Sequence, residues 1–366
     1  MVLNQCIYKA ILGTLVLWIC FPSILSIQLR GAALNQARGE LTGISIGDTA
    51  IFAGGDTGPY DCDMFSGSAQ NWTYLDLGVR VQPAAVSLGS CALIGGGMFA
   101  DNTVFLFNST SLEWSDLTLS QERHSLAATS VKQLAMFGGG IDYDGISTNL
   151  VDVLDVDSQT WSVTYLSAKR YKLAAASARH YALFAGGESQ TGHSDVVDIY
   201  DGNTKTWSVA TLSQARSNLV AVSVGKYILF AGGETNHVQY SNVVDIFDSE
   251  TGEWCNATLS LGRSFLAATS VGGRFAIFGG GQVRFSDTKQ IFLSVTDRVD
   301  IFDAQTQQWS MYSLSFGRSH LAAATVGNQV FFAGGQAVAN GFKFPFNAVD
   351  ILDFTEELQL DLDPSY

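Results

Sequence analysis

The chain has 366 residues, of which 15% are charged and 47% hydrophobic, with 37 glycines and only 5 prolines. That balance excludes a disordered chain, a collagen-like one and a highly charged helical one. Lys plus Arg number 20 against 34 Asp plus Glu, a net charge of −14, and a field of that sign repels phosphate backbones, so nucleic acid is a poor partner.

Lys9 precedes an apolar run from Ile11 to Phe21, and Pro22 and Ser23 follow it. This is the layout of a secretory signal peptide, and the run is shorter than the roughly 20 apolar residues that span a bilayer. Residues 1–26 are therefore expected to be a signal, cleaved near Ser26, with an uncleaved membrane anchor as the alternative. The mature chain is then secreted or extracellular, with no other membrane segment. Three Asn-x-Ser/Thr sequons, at Asn71, Asn108 and Asn256, fit glycosylation in that pathway. Beyond the first 26 residues stand Cys62, Cys91 and Cys255, an odd number without the spacing of a disulfide framework. Neither CxxC nor HExxH occurs, so no metal and no cofactor is expected.

From Arg38 onward the chain is a tandem repeat. A glycine pair closes an apolar run seven times, at Gly54-Gly55, Gly95-Gly96, Gly138-Gly139, Gly186-Gly187, Gly232-Gly233, Gly279-Gly280 and Gly334-Gly335. An arginine stands 15 or 16 residues before each pair, at 38, 80, 123, 170, 216, 263 and 318. Six tryptophans, at 72, 114, 161, 207, 254 and 309, lie 8 or 9 residues before the next arginine. Within one unit, Arg216–Val224, Tyr227–Ala231, Val243–Phe247 and a segment opening at Trp254 read as four strands, separated by turn residues. Such a sheet cannot bury both apolar faces alone, so the units must stack, and radial closure removes most exposed edges. The expectation is an all-β, seven-bladed propeller of four-stranded antiparallel blades spanning 27–366, with units starting near the seven arginines.

The order Arg, apolar run, Gly-Gly, Val-Asp with an aromatic and Asp, then Trp resembles the Kelch repeat over residues 38 to about 354. The unit starting at Arg80 departs from it with Phe105 where the third strand carries Asp, and the last unit has Gln359 at the Trp position. Either terminus can supply the missing fourth strand, Ile27–Leu34 or the alternating Leu358, Leu360 and Leu362. Joining the two ends in one blade locks the ring, which favours the N-terminal segment.

Strand alternation places the long loops after Gly-Gly and all seven arginines on one face, where binding residues are expected. The arginines admit two readings. They form a cationic funnel for a ligand, or each staples its blade by pairing with the Asp that opens strand three (Asp63, Asp152, Asp198, Asp245, Asp300, Asp350). Arg80, whose unit lacks that Asp, is the first choice for a free arginine. The residues after each arginine vary between units, including Glu40, Gln82 and Lys172. The candidate ligand contacts are Arg80, Arg123, His124, Arg170, Tyr171, Asn218, Phe265 and His320, and the expected partner is a protein or a carbohydrate.

Catalysis finds little support. Gly43-Ile-Ser45-Ile-Gly47 matches GxSxG, but no helix follows to make a nucleophile elbow. Some Kelch propellers are enzymes, and the resemblance keeps a sialic-acid mutarotase type as the alternative to a binding module. Its acid/base pair would be Glu188 or Glu234 with a neighbouring arginine.

Overall fold

The computed structural model describes residues 26–56, 61–78, 81–98, 102–236, 239–286, 291–339 and 342–359. The expected signal, Arg80, and Leu360 and Leu362 lie outside the described residues.

Strand β1 (Gln28–Ala33) precedes blade one, which is formed by β2 (Thr42–Ile46), β3 (Thr49–Ala53), β4 (Asp61–Ser66) and β5 (Asn71–Asp76). The four pair antiparallel in chain order, and the same meander recurs in the following blades. Each second strand is a short apolar run such as Thr49–Ala53 or Tyr227–Ala231, buried on both faces between neighbouring blades. Each outermost strand alternates between half-buried and exposed positions.

The seven inner strands touch in a closed cycle: β2, Ala84–Leu88, Ala127–Val131, Ala174–Ala178, Val220–Val224, Ala267–Val271, Ala322–Val326 and back to β2. Because they converge on one axis, only small side chains fit between them. The channel they enclose, about 270 Å³, is lined by Ala, Ser, Thr and a few Val and Ile. Ser45 of the GxSxG match is one of these residues; its Oγ accepts the Thr325 N–H across the seam at 2.7 Å.

The last blade is completed from the N-terminus. β1 pairs with Ala348–Asp353, Leu29 opposite Leu352. The other candidate, at the C-terminus, turns away from the sheet edge: Asp353 accepts the Thr355 N–H at 2.9 Å and caps a single helical turn, Thr355–Gln359. Leu358 then packs against the apolar cluster around Phe354 and Phe275.

The tryptophans lie at the seams. Trp207 Nε1 donates to Thr164 Oγ1 of the preceding blade at 3.1 Å, and Trp254 packs with Phe230 and Phe247 against Leu183 and Val197 of blade four. Where three glycines occur in a row, the second and third form the structural pair, one residue later than the sequence reading took it. Each first glycine has positive φ, and at Gly96, Gly139, Gly186, Gly232, Gly280 and Gly334 a Cβ would meet the next blade's arginine carbonyl oxygen, 2.6 Å away at Gly139, Gly186 and Gly334. At six of the seven seams the second glycine donates its N–H to that carbonyl, as Gly187 does to Arg216 at 2.9 Å and Gly335 to Arg38 across the ring closure at 2.9 Å. The blades are thus joined backbone to backbone.

Gly186→Ala places a methyl carbon on Arg216 O and forces φ +68 on an L-residue. The expected loss is about 2–4 kcal/mol in urea unfolding, and a change below about 0.5 kcal/mol would contradict this account of the seam.

Candidate functional site

The motif arginines begin the inner strands and turn inward rather than toward the loops. Arg38, Arg123, Arg170, Arg216, Arg263 and Arg318 have no exposed side-chain surface. Each pairs with the strand-three aspartate of its own blade, Arg38 with Asp63 at 2.5 Å, Arg123 with Asp152 at 2.7 Å and Arg318 with Asp350 at 2.8 Å among them. Each also donates to the carbonyl of its second-strand phenylalanine, as Arg216 does to Phe230 at 3.2 Å. The aspartate in turn accepts the N–H of the residue leading in from the previous blade, such as Ser213 to Asp245 at 3.0 Å. Burial lowers the pKa of Arg123, Arg170, Arg216, Arg263 and Arg318, and the paired carboxylate opposes that shift.

This arrangement corrects two nominated contacts. Arg123 and Arg170 are buried ion-paired staples, because an uncompensated guanidinium between blades would be costly and an aspartate stands in reach. Arg80 lies outside the described residues.

The residue two after each arginine does face the channel. Glu40, Gln82, Ser125, Lys172, Asn218, Phe265 and His320 occupy this position, and all seven have φ between 49° and 58°. The left-handed region costs a side-chain-bearing residue roughly 1 kcal/mol or more, so the ring must hold it in place. Backbone hydrogen bonds run from blade to blade at this level: Gln82 N to Glu40 O at 3.0 Å, Lys172 N to Ser125 O at 2.8 Å, Asn218 N to Lys172 O at 3.0 Å, His320 N to Phe265 O at 2.9 Å and, over the closure, Glu40 N to His320 O at 2.9 Å. The next residue is Leu in six blades and Pro83 in the other, which sets an apolar collar beneath the polar ring. Ring and collar enclose a cavity of about 230 Å³ at the channel mouth.

The ring side chains are tied sideways. Gln82 Nε2 donates to Glu40 at 3.3 Å, Ser125 Oγ to Gln82 Oε1 at 3.0 Å, Lys172 Nζ to Glu188 at 3.0 Å and Asn218 Nδ2 to Glu234 at 2.9 Å. Phe265 and His320 stack with centroids 4.0 Å apart and planes 16° from parallel. Burial, with Lys343's charge adding to it and Asp56 opposing, pulls the His320 pKa down to about 4, so the imidazole is neutral at pH 7.

Of the sequence-nominated contacts, Asn218, Phe265 and His320 line the mouth. His124 and Tyr171 stand one ring farther out, bridged to Ile141 and Glu188. They sit one residue after their arginines, and the strand alternation turns that position away from the axis. His124 Nδ1 contacts Ser125 Oγ at 3.0 Å; burial and the charge of Lys172 lower its pKa. Tyr171 has Lys172 Nζ 5.1 Å from its ring centre, and burial followed by Glu188 raises its pKa. Sequence reasoning missed Ser125, and also Lys343, which reaches the mouth residue Glu40 and Asp56 from a hairpin strand, with the buried Gln336 packed beside Gly39. A stricter register, Arg plus two followed by Leu, would have found Ser125.

The acid/base pair of the enzyme reading is not assembled from motif arginines, which are all buried where described. Glu188 is engaged by Lys172 and Glu234 by Asn218. Arg284 approaches Glu234 only through Tyr240, lying 4.8 Å over its ring. Burial first, then Glu234, pushes Tyr240 up to about 12 with Arg284 opposing, and Tyr240 Oη donates to Gln282 at 2.8 Å. Among the described residues no group of His, Cys, Asp and Glu could hold a metal ion, and no helix is long and apolar enough to cross a membrane. Asn71 and Asn256 are exposed on outermost strands, while Asn108 is half-buried, its Oδ1 accepting the Thr110 N–H at 2.9 Å.

Two outcomes follow from these environments. Arg216→Met leaves Asp245 buried without its partner, so urea unfolding is expected to show a loss of about 3–5 kcal/mol, partly restored in Arg216→Met/Asp245→Leu. No recovery in the double variant would refute the pairing. His320 binds its proton less readily folded than unfolded, so its contribution is whole above about pH 6.5 and is lost as pH falls toward 4. The drop in stability over that window is expected to shrink by about 2–3 kcal/mol in His320→Gln. Superimposable profiles would count against a neutral buried imidazole.

Comparison with known proteins agrees with this geometry. A family model described as the KLHDC2/KLHL20/DRC7 Kelch-repeats domain matches residues 82–258. Comparison with curated proteins finds no match. A solved structure of YjhT superposes with a TM-score of 0.55 over 74% of this chain and 94% of that one, at 15% identity. Since 865 solved chains match at all, the fold alone assigns no activity. Seven motif copies, seven four-stranded blades and the family match over residues 82–258 together support a Kelch-repeat β-propeller.

Proposed function

We propose that this propeller is a secreted or cell-surface binding module that takes a protein ligand at the channel mouth. The observation that carries the reading is the ring of seven left-handed residues, one per blade, each different in kind. The collar beneath keeps Leu in six of seven copies, so the scaffold is uniform where it packs and diverse where it faces a ligand. Such a site presents fixed polar groups around an apolar floor, which suits recognition of a peptide side chain and its flanking amides. The Kelch-propeller fold supports a protein-binding role in general. Asn71 is exposed on an outermost strand, where a glycan would leave the mouth clear, which is consistent with the secretory reading; the Asn256 Nδ2 instead donates to Asp245 Oδ1 at 2.7 Å.

The test is selection of a displayed library of capped linear peptides on the purified chain, with Ser125→Trp as a mouth-blocked control. Enriched peptides are expected to bind the wild type and to lose at least about tenfold on Ser125→Trp, or about 1.4 kcal/mol. Enrichment of peptides that bind both proteins equally would place the site elsewhere. A parallel glycan array that gives mouth-dependent binding in place of peptides would replace the protein ligand with a carbohydrate.

A further inference from the structure

The seam between blades seven and one carries an imbalance of charge at the mouth. Lys343, on the hairpin formed by Gln336–Ala339 and Phe342–Pro345, places its ammonium 2.7 Å from Glu40 Oε1 and 4.0 Å from Asp56 Oδ2. The two carboxylates are only 11% and 15% exposed, while the lysine that serves them is 52% exposed. Two largely buried negative charges thus share one cation held from solvent. Asp56 has the longer contact, and its other oxygen is engaged by the Gly39 N–H at 2.8 Å. Desolvated carboxylates with half their charge compensated favour any cation that can reach them.

Two independent features point the same way. Gln336 has no exposed surface, packs against the space beside Gly39, and leaves both carboxamide atoms without a hydrogen-bond partner. A buried amide in that state awaits a polar group at this position. Next to it, the stacked Phe265 and His320 present neutral aromatic surface, which attracts a cation through the ring quadrupole. The net charge of −14 draws basic partners toward the protein at long range.

We infer that Glu40, with Asp56 and Gln336 behind it, forms a cation subsite at the edge of the mouth, which receives the lysine or arginine side chain of a basic segment in a partner protein. Lys343 is its intramolecular occupant and competes with the ligand for the same carboxylates. This rests on the mouth being the binding site and specifies what enters it. Phe342 and Phe344 flank Lys343 and are 68% and 50% exposed, so the hairpin that releases the lysine also offers apolar contact to the flanking residues of the segment.

The test uses the full chain and small probes titrated by NMR: Nα-acetyl-lysine methylamide, Nα-acetyl-arginine methylamide, the isosteric Nα-acetyl-norleucine methylamide, and glycine methylamide for a free α-amine. The lysine or arginine probe is expected to saturate with a dissociation constant in the range of about 1–10 mM, at least about tenfold tighter than norleucine. Lys343→Met, which removes the competitor, is expected to tighten it by about tenfold. Glu40→Gln and Asp56→Asn are expected to weaken it by a similar factor. Equal binding of the norleucine probe, no saturation by either cation, or no change in Lys343→Met would overturn the subsite. Preference for glycine methylamide would overturn the side-chain assignment in favour of an amino terminus. Neutral or acidic peptides from the library would remove the cation subsite and leave the mouth as the site. Cation binding without any selected peptide would do the reverse.

Discussion

Six of the blades depend on a described arginine that serves two masters, its own sheet and the sheet before it. The guanidinium is closed inside the blade by the strand-three aspartate and the second-strand carbonyl. The same residue's main-chain oxygen takes the N–H of the previous blade's second glycine. Burying six described ion pairs without solvent contact is costly unless geometry and hydrogen bonds are good. The aspartate's other oxygen supplies the remaining bond by capturing the incoming inter-blade chain. Strand pairing, blade spacing and chain crossing are thereby fixed at one point per repeat.

The mouth inherits that rigidity. Two residues beyond the arginine the chain enters the left-handed region in every blade, including Phe265 and His320, for which the conformation is unfavourable. Backbone hydrogen bonds across five of the seven steps around the ring hold it there. The outcome is a set of side chains whose backbone positions are nearly equivalent by symmetry while their chemistry differs. Lys172 in blade four pairs with Glu188, and Glu40 in blade one pairs with Lys343, so charges of both signs stand around the opening. Rigid presentation lowers the ordering cost of binding, which is the physical basis for reading this opening as a recognition surface.

The seven blades, the tight turns and the arginine–aspartate pairing were legible in the sequence because each recurs at a fixed offset. The closing strand was legible in part. Leu29 stands nine residues before Arg38 as Trp207 does before Arg216, and the structure pairs it with Leu352. Arg123 and Arg170, nominated as ligand contacts, are instead closed inside their blades, because proximity to the loops was taken for orientation toward them. A repeat shows that Arg123 and Asp152 are near each other; it does not show that the pair is closed to solvent. His124 and Tyr171 stand outside the lining of the mouth for a related reason, since variability one residue from the arginine and two residues from it look alike until the strand direction is known.

The sequence by itself determined the architecture, because tandem copies of one pattern allow one periodic solution and the alternation of apolar residues fixes which strand is buried. Tertiary structure alone decided the neighbours at the mouth. Lys343 and Glu40 are 303 residues apart, and they meet only because ring closure sets blade seven beside blade one. Phe265 and His320 stack for the same reason, one blade apart at equivalent points of the ring. Contacts between copies depend on the angle at which sheets pack and on loop hairpins that belong to no repeat, and neither leaves a periodic trace in the chain.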